Sequence, residues 1–154
     1  MKLQIPRLLW IRLVHVLRRR GQRRRESGAF LLGNYDKRKL VDFVPYDDLD
    51  PHCLDHGYIT FDCKYHVPLL EICRRRGLNV LADVHTHPGR ATCQSQLDRD
   101  NPMFSIKGYT ELILPNFGYC SRVSFAGVGV YRYDGNGQWL TYRCPNDALK
   151  FTLL

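Results

Sequence analysis

The sequence predicts a mixed α/β domain with one central β-sheet and flanking helices. Three observations carry this. Short apolar runs bounded by turn residues recur at 28–33, 39–44, 78–84 and 109–115, and they read as strands. Two links, Asn34-Tyr35-Asp36 and Gly135-Asn136-Gly137, are hairpin signals and imply antiparallel neighbours. Residues 64–76 have helical spacing and a glycine stop, so helix and strand mix irregularly rather than alternating strictly. At 154 residues, with 44% apolar and 12% aromatic content, the chain has enough material for one folded core.

The elements follow in order. Residues 4–17 are apolar over much of a helical circumference, interrupted by Arg7, Arg12 and His15, and are too short to span a bilayer. Residues 1–25 hold nine basic residues and no acid, against 14 basic and 15 acidic residues in the remainder, so the net charge of +8 belongs to this N-terminal stretch. The chain therefore divides into a basic helix or arm at 1–25 and a domain at 26–154. The helix is expected to pack on the domain, with a solvated arginine turn behind it. Weak association of residues 1–25 with a membrane surface or a partner is the functional alternative, and a transit peptide is a weaker one. The nearly neutral body speaks against a specific nucleic-acid surface.

Gly28–Gly33 is a buried strand, and Lys39–Val44 is its antiparallel neighbour. Residues 45–57 form a polar loop, and Tyr58–Phe61 a short strand. In the helix from Lys64 to Arg76, Val67, Leu70 and Cys73 or Ile72 make the apolar stripe, and Gly77 caps it. Leu78–Val84 is a buried strand. A short helix starts at Ser95, strands follow at Tyr109–Pro115 and Ser121–Tyr133, and Trp139–Arg143 pairs back across the last turn. Six cysteines, with no C-x-x-C pair and no visible secretory signal, are expected to be free thiols in a reducing cytoplasm.

The chemistry concentrates at His85-Thr86-His87-Pro88. Side chains alternate on a strand, so His85 and His87 point off the same face at its end. Asp98 lies eleven residues further on. Two imidazoles and a carboxylate make the protein half of a catalytic zinc site, with the fourth position left to water. Hydrolysis also needs a carboxylate that moves protons without holding the metal, and a donor for the developing oxyanion. Ser95 is the candidate donor. Ser-x-x-Asp is equally a helix capping box, and only the adjacent histidines favour the chemical reading. Glu26 is the candidate proton carrier, with Asp47, Asp48, Asp50, Glu71 and Asp83 as rivals. Asp83 shares the parity of the histidines and could orient one of them.

His85-Thr86-His87-Pro88, six residues, Ser95, two residues, Asp98 resembles the JAMM motif (also called JAB or MPN-plus) of zinc isopeptidases. Glu26-Ser27-Gly28-Ala29-Phe30-Leu31-Leu32-Gly33 is similar to the segment that carries the family's glutamate. The resemblance implies a cytidine-deaminase-like sheet, one zinc ion on His85, His87 and Asp98, Glu26 as general acid/base and Ser95 supporting the oxyanion. It also implies a protease or isopeptidase cutting after the C-terminal tail of a ubiquitin-like protein. The Leu112-Ile113-Leu114-Pro115-Asn116-Phe117 run and the compact size are similar to bacterial JAB proteins. Some of these accompany activating and conjugating enzymes and are linked to phage defence. Trimming of a sulfur-carrier protein, a non-catalytic MPN scaffold and a basic-arm binding protein are the alternatives.

Overall fold

The computed structural model describes residues 1–153. Eight strands form one sheet: β1 (Leu3–Pro6), β2 (Gly28–Asn34), β3 (Lys39–Pro45), β4 (Asn79–Thr86), β5 (Thr110–Leu114), β6 (Gly129–Gly135), β7 (Gln138–Tyr142) and β8 (Leu149–Thr152). Their spatial order is β7-β6-β5-β4-β2-β3-β1-β8. The β4/β5, β1/β3 and β1/β8 pairs are parallel and the others antiparallel, which makes the sheet mixed, as the sequence predicts. The helices are α1 (Arg7–Gly21), α2 (Tyr46–Leu49), α3 (His66–Arg76), α4 (Gln96–Asp100) and α5 (Pro145–Ala148).

The sheet separates two cores. On one face, Leu9, Trp10, Leu13, Val14 and Leu17 of α1 pack on Leu31, Ala82, Val84, Leu112 and Val130. On the other, Tyr46, Leu54, Leu69 and Cys73 pack on Phe30 and Leu32. The strand parity of β2 produces this split, since Phe30 and Leu32 face one way and Ala29 and Leu31 the other. A bulge in the β2/β4 ladder, where the register shifts between Leu31 and Leu32, lets Leu81 join Ala82 and Val84 on the α1 face.

Residues 1–25 are not a separate arm, and the division drawn at 25/26 is not a boundary in the packing. The first residues form β1, which lies in the sheet between β3 and β8, and the helix begins only at Arg7, after Pro6. Proline at the turn into the helix explains the break. The expected packing of this helix on the domain is found, with Trp10 fully buried against Phe125 and Phe151. The expected arginine turn follows the helix, with Arg23 and Arg24 exposed, while three arginines on the helix act as staples. Arg18 donates to the carbonyls of Gly118 and Cys120, Arg12 pairs with Asp42, and Arg20 pairs with Asp47 and Asp48.

Four further differences have local causes. Residues 58–61 form no strand, because their course follows the irregular 50–62 segment, held by Thr60 N–H donating to Cys53. The polar loop after Pro45 begins with the short helix α2, whose Tyr46 is wholly buried. On α3, Leu69 and Cys73 face the core, whereas Val67 and Leu70 are 71% and 50% exposed, so the stripe is rotated by about a third of a turn. The last long strand starts at Gly129, not Ser121, since Ser121 and Ser124 side chains hold 121–126 in turns. None of the six cysteines is in a disulfide. Among the described residues no helix is long and apolar enough to cross a membrane.

Trp10→Ala is expected to cost about 3–5 kcal/mol in urea unfolding, because it empties the centre of the α1 core. A loss under 1 kcal/mol would contradict the integral role of the N-terminal segment.

Candidate metal centre

The site lies where β4 ends and β2 begins. These strands are antiparallel, and Gly28 pairs with His85. One step on, Thr86 N–H donates to the Ser27 carbonyl at 2.9 Å and Ser27 N–H donates to Thr86 Oγ1 at 3.0 Å. Glu26, one residue further, leaves the ladder, its N–H donating to the Gly57 carbonyl at 2.8 Å, and lines the same cavity as His85. Residues some sixty positions apart thus meet through one register.

Two glycines make room around His85. In the row across the sheet, Gly28, His85, Ile113 and Gly129 are successive partners. A Cβ on Gly28 would lie 2.3 Å from the Tyr46 ring, and one on Gly129 would lie 2.4 Å from the Thr92 carbonyl. The first gap admits Tyr46, whose hydroxyl donates to Asp83 Oδ2 at 2.6 Å. The second admits the loop between β4 and α4. That loop is held by Tyr131 Oη donating to the Thr92 carbonyl at 2.6 Å and by Gln94 donating to Glu111. Trp139 Nε1 donates to Arg99 and fixes the far end of α4. In this way Ser95 and Asp98 are delivered to the histidines.

Ser95 is the N-cap of α4 and forms a full capping box with Asp98. Asp98 N–H donates to Ser95 Oγ at 3.1 Å, and Ser95 N–H donates to Asp98 Oδ2 at 2.7 Å. The structural and chemical readings of this pair are therefore compatible. The box holds Asp98 in place, with the Ser95 hydroxyl within hydrogen-bonding reach of the Asp98 carboxylate.

The donor atoms fit one cation. His85 Nε2 and His87 Nε2 are 3.2 Å apart, and lie 3.5 Å from Asp98 Oδ1 and Oδ2 respectively. A tetrahedral zinc site with bonds of about 2.0–2.1 Å has edges of about 3.3–3.4 Å. His87 Nδ1 donates to the Ala91 carbonyl at 3.2 Å, which leaves the Nε2 lone pair aimed at His85. A cation seated between these two nitrogens and the Asp98 carboxylate would accept both lone pairs.

Charge supports the same fit. Glu26, Asp83, Asp98 and Glu111 line a cavity of about 630 Å³ that has no lysine or arginine in its wall. Burial raises Glu26, against the pull of His85 and His87. Burial also raises Asp83, against the Tyr46 hydroxyl and His85. Burial and the neighbouring Asp83 push Glu111 up to about 8. Burial works to lower His85, but Asp98 and Glu111 carry it up to about 9. Burial works to raise Asp98, yet the two histidines and Ser95 hold it well below the usual carboxylate range. A divalent cation would relieve this excess of buried acid.

Glu26, Ser95, His85 and Asp98 all reach the cavity, and His87 closes the triad with His85 and Asp98. Four of the rival acids lie elsewhere. Asp47 and Asp48 pair with Arg20, Asp50 accepts backbone N–H groups of His52 and Asp62, and Glu71 pairs with Arg74. Asp83 faces the same side as His85, but its hydrogen bond goes to Tyr46. Sequence reasoning missed Glu111, Gln94 and Tyr46. Glu111 was legible only as the one acid inside an otherwise apolar strand.

His87→Ala and Asp98→Asn are each expected to reduce zinc from one ion per chain to near none, measured by elemental analysis after dialysis. A full equivalent in both variants would contradict the triad.

No profile of a known protein family matches the chain. Over 65 residues it is 38% identical to "Probable metalloprotease y4jG" of Sinorhizobium fredii, a match covering 42% of this chain and 39% of that protein. Protein DSY2949 of Desulfitobacterium hafniense superposes with a TM-score of 0.64 at 13% identity, over 97% of this chain and 92% of that one. AF2198 of Archaeoglobus fulgidus, a JAB1/MPN domain protein, superposes with a TM-score of 0.52 at 17% identity, over 98% of both chains. The eight-stranded mixed sheet with its flanking helices is a JAB1/MPN domain fold.

Proposed function

We propose that the chain is a zinc-dependent protease of the isopeptidase type, acting after the C-terminal tail of a ubiquitin-like protein. One observation carries the reading: Glu26, a carboxylate outside the triad, stands in the same cavity as three donors that fit a cation. Binding alone needs only the triad, whereas amide hydrolysis also needs a proton carrier. The match to a protein named a metalloprotease and the JAB1/MPN fold support the same reaction class.

Zinc bound by His85, His87 and Asp98 would supply Lewis acidity and a water of lowered pKa. The rest falls to the chain's own residues. Glu26 accepts a proton from the attacking water and returns it to the leaving amine. Burial in the cavity wall raises its pKa, which suits a group that must both take up and return a proton. The Ser95 hydroxyl donates to the carbonyl oxygen as negative charge develops there. His87 stays in one tautomer through Ala91.

The cavity shape supports a peptide tail. Its rim carries Tyr58 and Leu97, 52% and 51% exposed, with Phe61 and Met103 deeper in the wall. These side chains offer apolar contacts to an extended segment. Partner activating or conjugating enzymes, and a role in defence, belong to the same proposal.

Glu26→Gln is expected to keep one zinc per chain and to lower kcat about 10²–10⁴-fold on a tail-fused substrate. Turnover within twofold of the unaltered chain, with zinc bound, would reject the proton-carrier role. Absence of cleavage of any tail-linked substrate by the zinc-loaded chain would reject the substrate class.

A further inference from the structure

We propose that Glu111 is a positioning residue for this centre, holding His85 in orientation and anchoring, through Gln94, the loop that delivers Asp98. The inference rests on reading His85, His87 and Asp98 as a metal site. The two oxygens of one buried carboxylate address two separate segments. Oε1 stands 3.8 Å from His85 Nδ1, and Oε2 accepts from Gln94 Nε2 at 2.5 Å. Glu111 is 6% exposed and lies in a row of register partners, Asp83, Glu111 and Tyr131, directly beneath the site.

Liganding imidazoles turn unless their second nitrogen is held, and a carboxylate or carbonyl usually holds it. His87 has the Ala91 carbonyl. The Nδ1 of His85 faces Glu111, at an ion-pair approach longer than a hydrogen bond. The neighbouring acid, Asp83, is engaged by the Tyr46 hydroxyl. A carboxylate inside an apolar strand is costly unless it is partnered. Here the partners are two groups whose placement sets the geometry of the triad. Tyr131, the next residue in the row, fixes the same loop through Thr92, so the strand floor clamps the loop at two successive points.

The test is cobalt(II) binding to the full chain, read from the visible d–d spectrum, with urea unfolding of the metal-free protein alongside. Glu111→Gln keeps the side-chain shape and an acceptor for Gln94 but presents no charge to His85. It is expected to bind cobalt ~10–100-fold more weakly, with an altered spectrum and a metal-free unfolding midpoint no lower than that of the unaltered chain. Unchanged affinity and spectrum in the folded variant would overturn the proposal. Gln94→Ala, which removes only the loop anchor, is measured in the same way. It is expected to weaken binding in the same direction, and it decides the matter should Glu111→Gln fail to fold, since unaltered binding there overturns the anchoring role. Failure of the unaltered chain to bind cobalt would reject the metal-site reading itself, an outcome separate from the other two.

Discussion

The antiparallel register between β2 and β4 is the constraint on which the rest depends. With Gly28 opposite His85, the residues before β2 must run beside the residues after β4. Glu26 is therefore brought to the cavity of the histidines, where the Gly57 carbonyl accepts its N–H. A slip of one residue would turn every side chain of β2 to the opposite face, exchanging the two cores and moving Glu26 off the site. Register is protected by Phe30 and Leu32 on one face and Ala29 and Leu31 on the other, all fully buried. The same apolar pattern that folds the sheet thus fixes where the end of β4, with His85, stands relative to the start of β2.

The second organising term is electrostatic. The sheet carries Asp83 and Glu111 side by side in the interior, beneath His85. Buried carboxyls are expensive, and here the expense is met by a tyrosine hydroxyl, a glutamine amide, a histidine and, on the proposed reading, a cation. The N-terminal arginines do not contribute to this balance. They serve packing instead, joining α1 to the 116–120 segment and to α2.

Much of the site was legible because ligand chemistry is local. His85, His87, Ser95 and Asp98 stand within fourteen residues, on a strand end and a helix start whose periods are short and clear. Glu26 was only nameable through the resemblance of its segment, since a register cannot be read from one strand. Glu111 and Gln94 were hidden for the same reason: their meaning comes from the neighbouring strands. The fold class followed from strand runs and turns, but β1 and β8 did not, being four residues each and lacking alternation long enough to declare them. Charge misled at residues 1–25. The arginines stand out in sequence, while the carbonyls and aspartates that receive them come from 42 to 120.

The most direct test is a crystal of the zinc-loaded chain, with the ion located by anomalous scattering. The account predicts a single peak about 2.0–2.1 Å from His85 Nε2, His87 Nε2 and an Asp98 oxygen. A peak instead among Asp83, His85 Nδ1 and Glu111, whose donor atoms also cluster, would contradict it, as would no peak at all with the two rings turned apart.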